Sequence, residues 1–210
     1  QYPGNWLNNI DRAFHIYMPH PSGYVFLYFF GFFILLVCLE INPWLAIVGA
    51  LAYGFSSYFY IILEAGHNSK ANAIGYLAPT LGGIVLLMRG KHWLGFAVTL
   101  LFMALELNAN HVQISYYGFM LFGLVILSYG MYAFKQKNLK PFFIATALFI
   151  GATLMSVLPN AGNLLATYEY GNYTIRGKSE LTIDASGKSK VSISTSGLDK
   201  DYATQWSYGV

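Results

Sequence analysis

Six long apolar runs alternate with short polar turns along the first three quarters of the chain. They cover residues 23–39, 43–63, 71–88, 93–107, 114–134 and 142–158. Each run is long enough, or nearly so, to cross about 30 Å of hydrocarbon as a helix. Helices also pair every backbone polar group within their own segment, as the interior of a membrane requires. The pattern predicts an all-α fold, a polytopic transmembrane helical bundle of about six spans with antiparallel neighbours.

Polar and aromatic segments precede and follow these runs. Within residues 1–21, apolar side chains recur at helical spacing, at Trp6, Leu7, Ile10, Phe14 and Tyr17. The spacing favours an amphipathic helix at the membrane interface, with an ordinary loop as the alternative. After Pro159, the strand-like runs ELTI and VSIST flank the turn DASGKSK, which predicts a β-hairpin over residues 180–195. The chain thus divides into an interfacial segment at 1–21, a bundle at 22–159 and a tail at 160–210.

Charged residues are scarce, since they make up 10% of the chain while 56% is hydrophobic. A soluble domain carries about 25% charged residues, so the composition indicates a membrane protein. The net charge of +3 is too small and too dispersed for a nucleic-acid-binding surface. Cys38 is the single cysteine, which excludes a disulfide framework.

Basic residues of the bundle concentrate in two turns. Arg89 and Lys91 join the third and fourth runs, and Lys135, Lys137 and Lys140 join the fifth and sixth. By the positive-inside rule these turns are cytoplasmic. Because spans alternate in direction, the N-terminal segment, the turns after the second and fourth runs, and the tail are predicted to be extracytoplasmic.

Two polar patches occupy those extracytoplasmic turns: EAGHNSK at residues 64–70 and ELNANHVQ at residues 106–113. Polar and ionisable groups at membrane depth are costly and usually face a cavity or a partner. Helical spacing places the members of each patch on one face, which favours one shared cavity. Single Asn, Gln and His residues have an alternative role, tying helices together by hydrogen bonds. The candidate substrate-binding residues are Glu64, His67, Asn68, Lys70, Glu106, Asn110, His111, Gln113 and Tyr117, with Arg176 from the tail.

The same patches contain the residue types that bind metals. The imidazoles of His67 and His111 and the carboxylates of Glu64 and Glu106 are nitrogen and oxygen ligands for a divalent metal. Neither HxxxH nor HExxH spacing occurs, so no cofactor is assigned and a divalent metal stays an alternative. GxSxG and Walker motifs are missing as well.

Several motifs in a fixed order carry a family resemblance. They are EAGHNSK, a basic turn, NANHVQISYY, LPNAGNLLATYEYGNYTIRGKSELT and GLDKDYATQWSYG. In this order they resemble the YfhO family of bacterial multi-pass membrane proteins, in particular its Bacteroidetes-type members. That family is similar to glycosyltransferases of the GT-C class. The resemblance implies a bacterial inner (cytoplasmic) membrane protein that transfers a sugar from a polyprenyl-phosphate donor to an extracytoplasmic cell-envelope acceptor.

The resemblance also implies a longer protein, with a further span before this region and many after it. In GT-C enzymes an essential acid lies in the first extracytoplasmic loop, which is expected to precede Gln1. Asp11 is the one acid of residues 1–21 and matches no family motif. The expected partners are membrane lipids, a polyprenyl-phosphate sugar and partner membrane subunits, without nucleic acid. The alternative function is a non-catalytic subunit or lipid-binding scaffold of a larger envelope complex.

Overall fold

The computed structural model describes residues 5–171, and this part of the chain is helical. Its elements are α1 (Leu7–Phe14), α2 (Ser22–Cys38), α3 (Pro43–Gly54), α4 (Ser57–Glu64), α5 (Asn68–Met88), α6 (His92–Asn108), α7 (Val112–Lys135), α8 (Lys140–Val157), a 3-10 turn (Leu158–Asn160) and α9 (Ala161–Gly171). No strand occurs between residues 5 and 171. The all-helical prediction is therefore confirmed for this range. The hairpin predicted at 180–195 lies outside the described residues.

Fewer helices meet the requirements of a membrane span than the sequence predicts. Three stretches are long and apolar enough, Asn68–Met88, Val112–Lys135 and Lys140–Gly171, or up to four if the bent pair of α3 and α4 is one span. α2 and α6 have 17 residues each, which corresponds to about 25 Å at 1.5 Å per residue. The prediction of six was too high because α2 and α6 are too short to count as spans, and because a 45° bend divides the run at 43–63 into α3 and α4.

α5 is the central helix of the bundle and packs against both α2 and α6. Fourteen of its 21 residues are buried. Glycines bring the three backbones together: a Cβ on Gly31 of α2 would lie 2.6 Å from the carbonyl oxygen of Gly75 on α5. On a neighbouring face of α5, a Cβ on Gly83 would lie 2.6 Å from the backbone nitrogen of Thr99 on α6. Both helix pairs therefore need glycine at the contact, as in other closely packed membrane helices.

Alternating helix directions give the bundle two chemically different ends. We call residues 5–21, 64–68, 108–112 and 158–160 the amide end, because Asn side chains hydrogen-bond there between segments far apart in sequence. We call residues 39–42, 89–92 and 135–140 the basic end. There, Lys91 Nζ lies 2.9 Å and Arg89 Nη1 lies 3.6 Å from the carboxylate of Glu40. The hydrogen bond and charge of Lys91, with the charge of Arg89, hold the pKa of Glu40 below its usual value.

The chain forms two compact units, residues 1–161 and 162–210. α1 to α8 belong to the first unit, in which α7 is peripheral: its buried residues are Ile114, Gly118 and Phe122. Most of the apolar surface of α7 and α8 is exposed. Within the second unit, the described residues form all but the first residue of α9.

Replacing Gly83 by Ala tests the close contact between α5 and α6. The added methyl group meets backbone atoms of Thr99, so the helices must separate, and we expect a loss of about 1–3 kcal/mol in the free energy of unfolding. Gly123→Ala on α7 is the matched control, because a Cβ there meets nothing within 4 Å. Thermal unfolding of both variants in detergent provides the measurement. Equal melting temperatures for the two variants would contradict the packing described here.

Candidate functional site

A carboxylate on α1 organises the polar side chains at the amide end. Asp11 Oδ1 accepts hydrogen bonds from Asn72 Nδ2 at 2.9 Å and from the hydroxyl of Tyr76 at 2.7 Å. Its other oxygen, Oδ2, lies 3.8 Å from His15 Nδ1. We call Asp11, His15, Asn72 and Tyr76 the Asp11 cluster. Its members on α5 are buried, so the cluster joins α1 to the central helix.

Helical periodicity on both elements produces the Asp11 cluster. Asn8, Asp11 and His15 recur at intervals of three and four residues on α1, and Asn72 and Tyr76 are four apart on α5, which places each set on one face. The apolar face of α1 holds it in position. Phe14 stacks near the rings of Tyr76 and Phe102, with centroid distances of 6.3 and 5.2 Å.

His15 lies in a largely desolvated position at the end of α1. Burial lowers the pKa of His15 below its usual value, although the Asp11 carboxylate and a hydrogen bond with Asn72 act in the opposite direction. Its ring packs against Tyr24, with ring centroids 4.8 Å apart. The neutral imidazole is therefore favoured in the folded protein.

A second group of side chains at this end consists of four asparagines. Asn5 Nδ2 donates to Oδ1 of Asn108 and to Oδ1 of Asn160, both at 3.0 Å. Asn108 Nδ2 donates in turn to Asn8 Oδ1 at 2.8 Å. Asn160 is buried and donates to the carbonyl oxygen of Ala104 at 2.9 Å. These bonds tie the N-terminal segment to α6 and to the turn after α8, a structural role of the kind expected for amides between helices.

An open groove of about 790 Å³ lies beside these clusters, between the start of α2 and α4. We call it the amide-end groove. Its lining residues are His20, Pro21, Val25, Tyr60, Ile61, Leu63, Glu64 and Ala65. His20 Nε2 lies 2.9 Å from Asn68 Oδ1, which orients the imidazole at the rim of the groove. The groove thus combines an apolar wall with one imidazole and one carboxylate.

The structure places the residues of the first polar patch at or near this groove. Glu64 lines it, and Asn68 contacts the lining residue His20. Lys70 Nζ lies 5.4 Å from the ring centroid of Tyr58, within the range of a cation–π contact. His67 is exposed and ends the turn before α5.

The second patch meets the first through His111. Burial lowers the pKa of His111 below its usual value, a hydrogen bond to its own backbone opposes this shift, and electrostatic interactions with Lys70 and His67 lower the pKa further. Such an electrostatic effect requires the two patches to be near each other. Asn110 precedes His111 with a left-handed backbone, φ 52°. Both patches therefore come together at the amide end.

Other members of the second patch do not line the amide-end groove. Glu106 was expected at the mouth of a cavity, but it is only 1% exposed and its Oε1 accepts a hydrogen bond from Ser115 Oγ at 2.8 Å. It therefore connects α6 to α7 inside the bundle. Gln113 Nε2 donates to the hydroxyl of Tyr117 at 3.2 Å on the exposed face of α7. Arg176 lies outside the described residues.

Sequence reasoning missed the contribution of the N-terminal segment. Its hydrophobic spacing predicts a helix, and α1 confirms that prediction, but no chemical role was assigned to Asp11, His15 or His20. The polar spacing of Asn8, Asp11 and His15 was a usable signal, because it marks a second face beside the apolar face of the same helix. In residues 5–171, no group of three or more His, Cys, Asp or Glu side chains is arranged to hold a metal ion.

Comparison with known proteins identifies no relative of this chain. The chain matches no protein-family profile, no curated protein and no solved structure.

His15 predicts how stability depends on pH. The pKa of His15 is lower in the folded protein than in the unfolded chain. Its contribution to stability is therefore fully present above the unfolded-state pKa of about 6.5. This contribution is lost as the pH falls through the folded-state pKa. We expect the melting temperature to fall between pH 7 and pH 5, and to fall less in His15→Gln. Arg12→Gln, an exposed change on the same helix, is the control and keeps the wild-type slope. If the melting temperature of His15→Gln fell as steeply with pH as that of the wild-type protein, His15 would be excluded as a source of the pH dependence.

Proposed function

We propose that this chain is the membrane-embedded part of a GT-C-like glycosyltransferase that takes a sugar from a polyprenyl-phosphate donor. The amide-end groove is the observation that carries the proposal. Its apolar wall, formed by residues such as Val25, Ile61 and Leu63, suits an isoprenoid chain, while His20 and Glu64 offer polar groups where a phosphate and sugar belong. The motif resemblance supports the same substrate class.

In this proposal the amide end is extracytoplasmic and the basic end cytoplasmic, in a bacterial inner membrane. The separation of charge supports this orientation, because Arg89, Lys91 and the three lysines of the α7–α8 turn occupy the basic end. The three stretches that are long and apolar enough, Asn68–Met88, Val112–Lys135 and Lys140–Gly171, cross the membrane, and the two 17-residue helices, α2 and α6, pack beside them. The sugar acceptor is a component of the cell envelope.

The chemistry needs a base for the acceptor hydroxyl and a group that stabilises the departing lipid phosphate. Glu64 lines the groove, and we assign it the role of base: it takes the hydroxyl proton while the acceptor oxygen bonds to the anomeric carbon and the bond to the phosphate breaks. His20 stabilises the phosphate. Asp11 is occupied by hydrogen bonds from Asn72 and Tyr76, so its role is to position α1.

A non-catalytic subunit that binds lipid is the second candidate. The exposed apolar faces of α7 and α8 favour it, since Leu124 is 63% and Leu154 is 64% exposed. A surface of this kind contacts either lipid or another membrane subunit. In that case the amide-end groove holds a lipid without turnover, and the polar patches contact a partner chain.

Blocking the groove distinguishes ligand binding there from binding elsewhere. Ile61 lines the groove and is 64% exposed, so Ile61→Trp fills space without disturbing the core. We expect at least about a tenfold loss in binding of a polyprenyl-phosphate hexose, measured on the purified protein, because one large side chain removes several kcal/mol of apolar contact. Leu124→Trp on α7, at 63% exposure, is the matched control. Equal binding by the two variants would exclude the groove as the lipid site.

Glu64→Gln separates the enzyme from the lipid-binding scaffold. The amide keeps the size of the side chain but cannot accept the proton, so we expect transfer to fall by about 10²-fold or more while lipid binding is kept. The measurement is release of polyprenyl phosphate by the longest available form of the protein in membranes. Glu169→Gln, an exposed carboxylate on α9, serves as control. Binding without release in the wild-type protein would support the scaffold instead.

A further inference from the structure

A second groove lies at the basic end, away from the amide-end groove. It encloses about 520 Å³ between the end of α5 and the turn that joins α7 to α8. Polar and aromatic side chains line it, among them Arg89, Tyr129, Tyr132, Gln136 and Asn138. We call it the basic-end groove. The proposed sugar transfer uses none of these residues.

Basic side chains outnumber acidic ones around this groove. The basic end contains five Lys and Arg residues and one acidic residue, Glu40. Three of the basic residues, Lys135, Lys137 and Lys140, lie within two positions of a lining residue, Gln136 or Asn138, in the sequence. One carboxylate cannot neutralise five cations, so the groove favours an anionic ligand.

Arg89 has donor capacity to spare for such a ligand. Its contacts with Glu40 and with the carbonyl oxygen of Cys38 both come from Nη1, at 3.6 and 3.2 Å. Within the described residues, Nη2 makes no hydrogen bond. A guanidinium held in this way can present Nη2 to a phosphate oxygen while Glu40 keeps it in place.

Exposed aromatic side chains favour a lipid over a soluble anion as the ligand at this end. Trp44 and Trp93 lie in the first turns of α3 and α6 at the same end, and they are 78% and 90% exposed. Tyr132, a lining residue, is 63% exposed. Exposed Trp and Tyr at helix ends are typical of the boundary between hydrocarbon and head groups.

We propose that the basic-end groove binds the head group of an anionic phospholipid, with Arg89 contacting the phosphate and the α7–α8 lysines supplying the surrounding charge. Gln136 and Asn138 donate hydrogen bonds to the remaining head-group oxygens. The acyl chains lie along the exposed apolar surface of α7. This inference requires the helices to be embedded in a bilayer but not the sugar transfer proposed for the opposite end.

Native mass spectrometry of the purified chain in detergent tests the proposal. Dioleoyl phosphatidylglycerol, dioleoyl phosphatidylcholine and sn-glycerol 3-phosphate are titrated separately, and the Kd of the first bound molecule is measured. We expect phosphatidylglycerol to bind most tightly, because a basic residue near the membrane surface contributes about fivefold in affinity for an anionic lipid.

Four variants make the test specific. Arg89→Gln and Lys137→Asn are each expected to weaken phosphatidylglycerol binding about fivefold, and Lys137 makes no described side-chain contact whose loss could unfold the protein. Glu40→Gln is expected to strengthen binding, since it removes the acidic charge of the basic end while the amide oxygen can still accept a hydrogen bond from Arg89. Arg12→Gln removes one charge at the amide end and leaves the Kd unchanged.

Three results would overturn the proposal. Equal affinity for the two lipids would exclude recognition of the anionic head group. Binding of sn-glycerol 3-phosphate as tight as that of the lipid would indicate a soluble-anion site. An equal effect of Arg12→Gln and Lys137→Asn would show that net charge, and not this groove, attracts the lipid. None of these results depends on whether sugar transfer occurs.

Discussion

The contact of three helix backbones around α5 is the constraint on which the rest of the structure depends. Gly31 and Gly83 admit α2 and α6 to two neighbouring faces of this helix at distances that leave no room for a side chain. Because the helices are held so closely, the polar residues at the start of α5 reach both α1 and the rim of the amide-end groove. The arrangement of Asn68, Asn72 and Tyr76 is thus a consequence of packing deeper in the bundle.

Helix–helix packing also explains which features could be predicted from the sequence. Apolar runs locate the helices because burial and hydrogen bonding follow composition, and all six predicted runs are helical. Hydropathy does not register the bend between Gly54 and Ser57, and an apolar run as short as α2 or α6 is not by itself a membrane span. The count of spans was consequently too high.

At the candidate site as well, the sequence predicted features set by local spacing and missed contacts between residues far apart in the chain. His67 and His111 lie in turns at the same end of the bundle, as the alternating directions of the helices predict. Glu106, by contrast, points to Ser115 and not to a groove, since helical spacing does not determine whether a polar face contacts a neighbouring helix or a cavity. Asp11 was missed because its partners lie 61 and 65 residues away, beyond the range of any local spacing rule.

The position of α4 has a consequence for how a ligand arrives. This helix carries Tyr60 and Ile61, which form the outer wall of the amide-end groove, and it is joined to α3 through a 45° bend. A wall made from one short peripheral helix leaves the groove accessible from the side. A membrane-dissolved molecule can then enter by lateral diffusion without passing through water, and its occupancy follows its mole fraction among the lipids rather than its aqueous concentration.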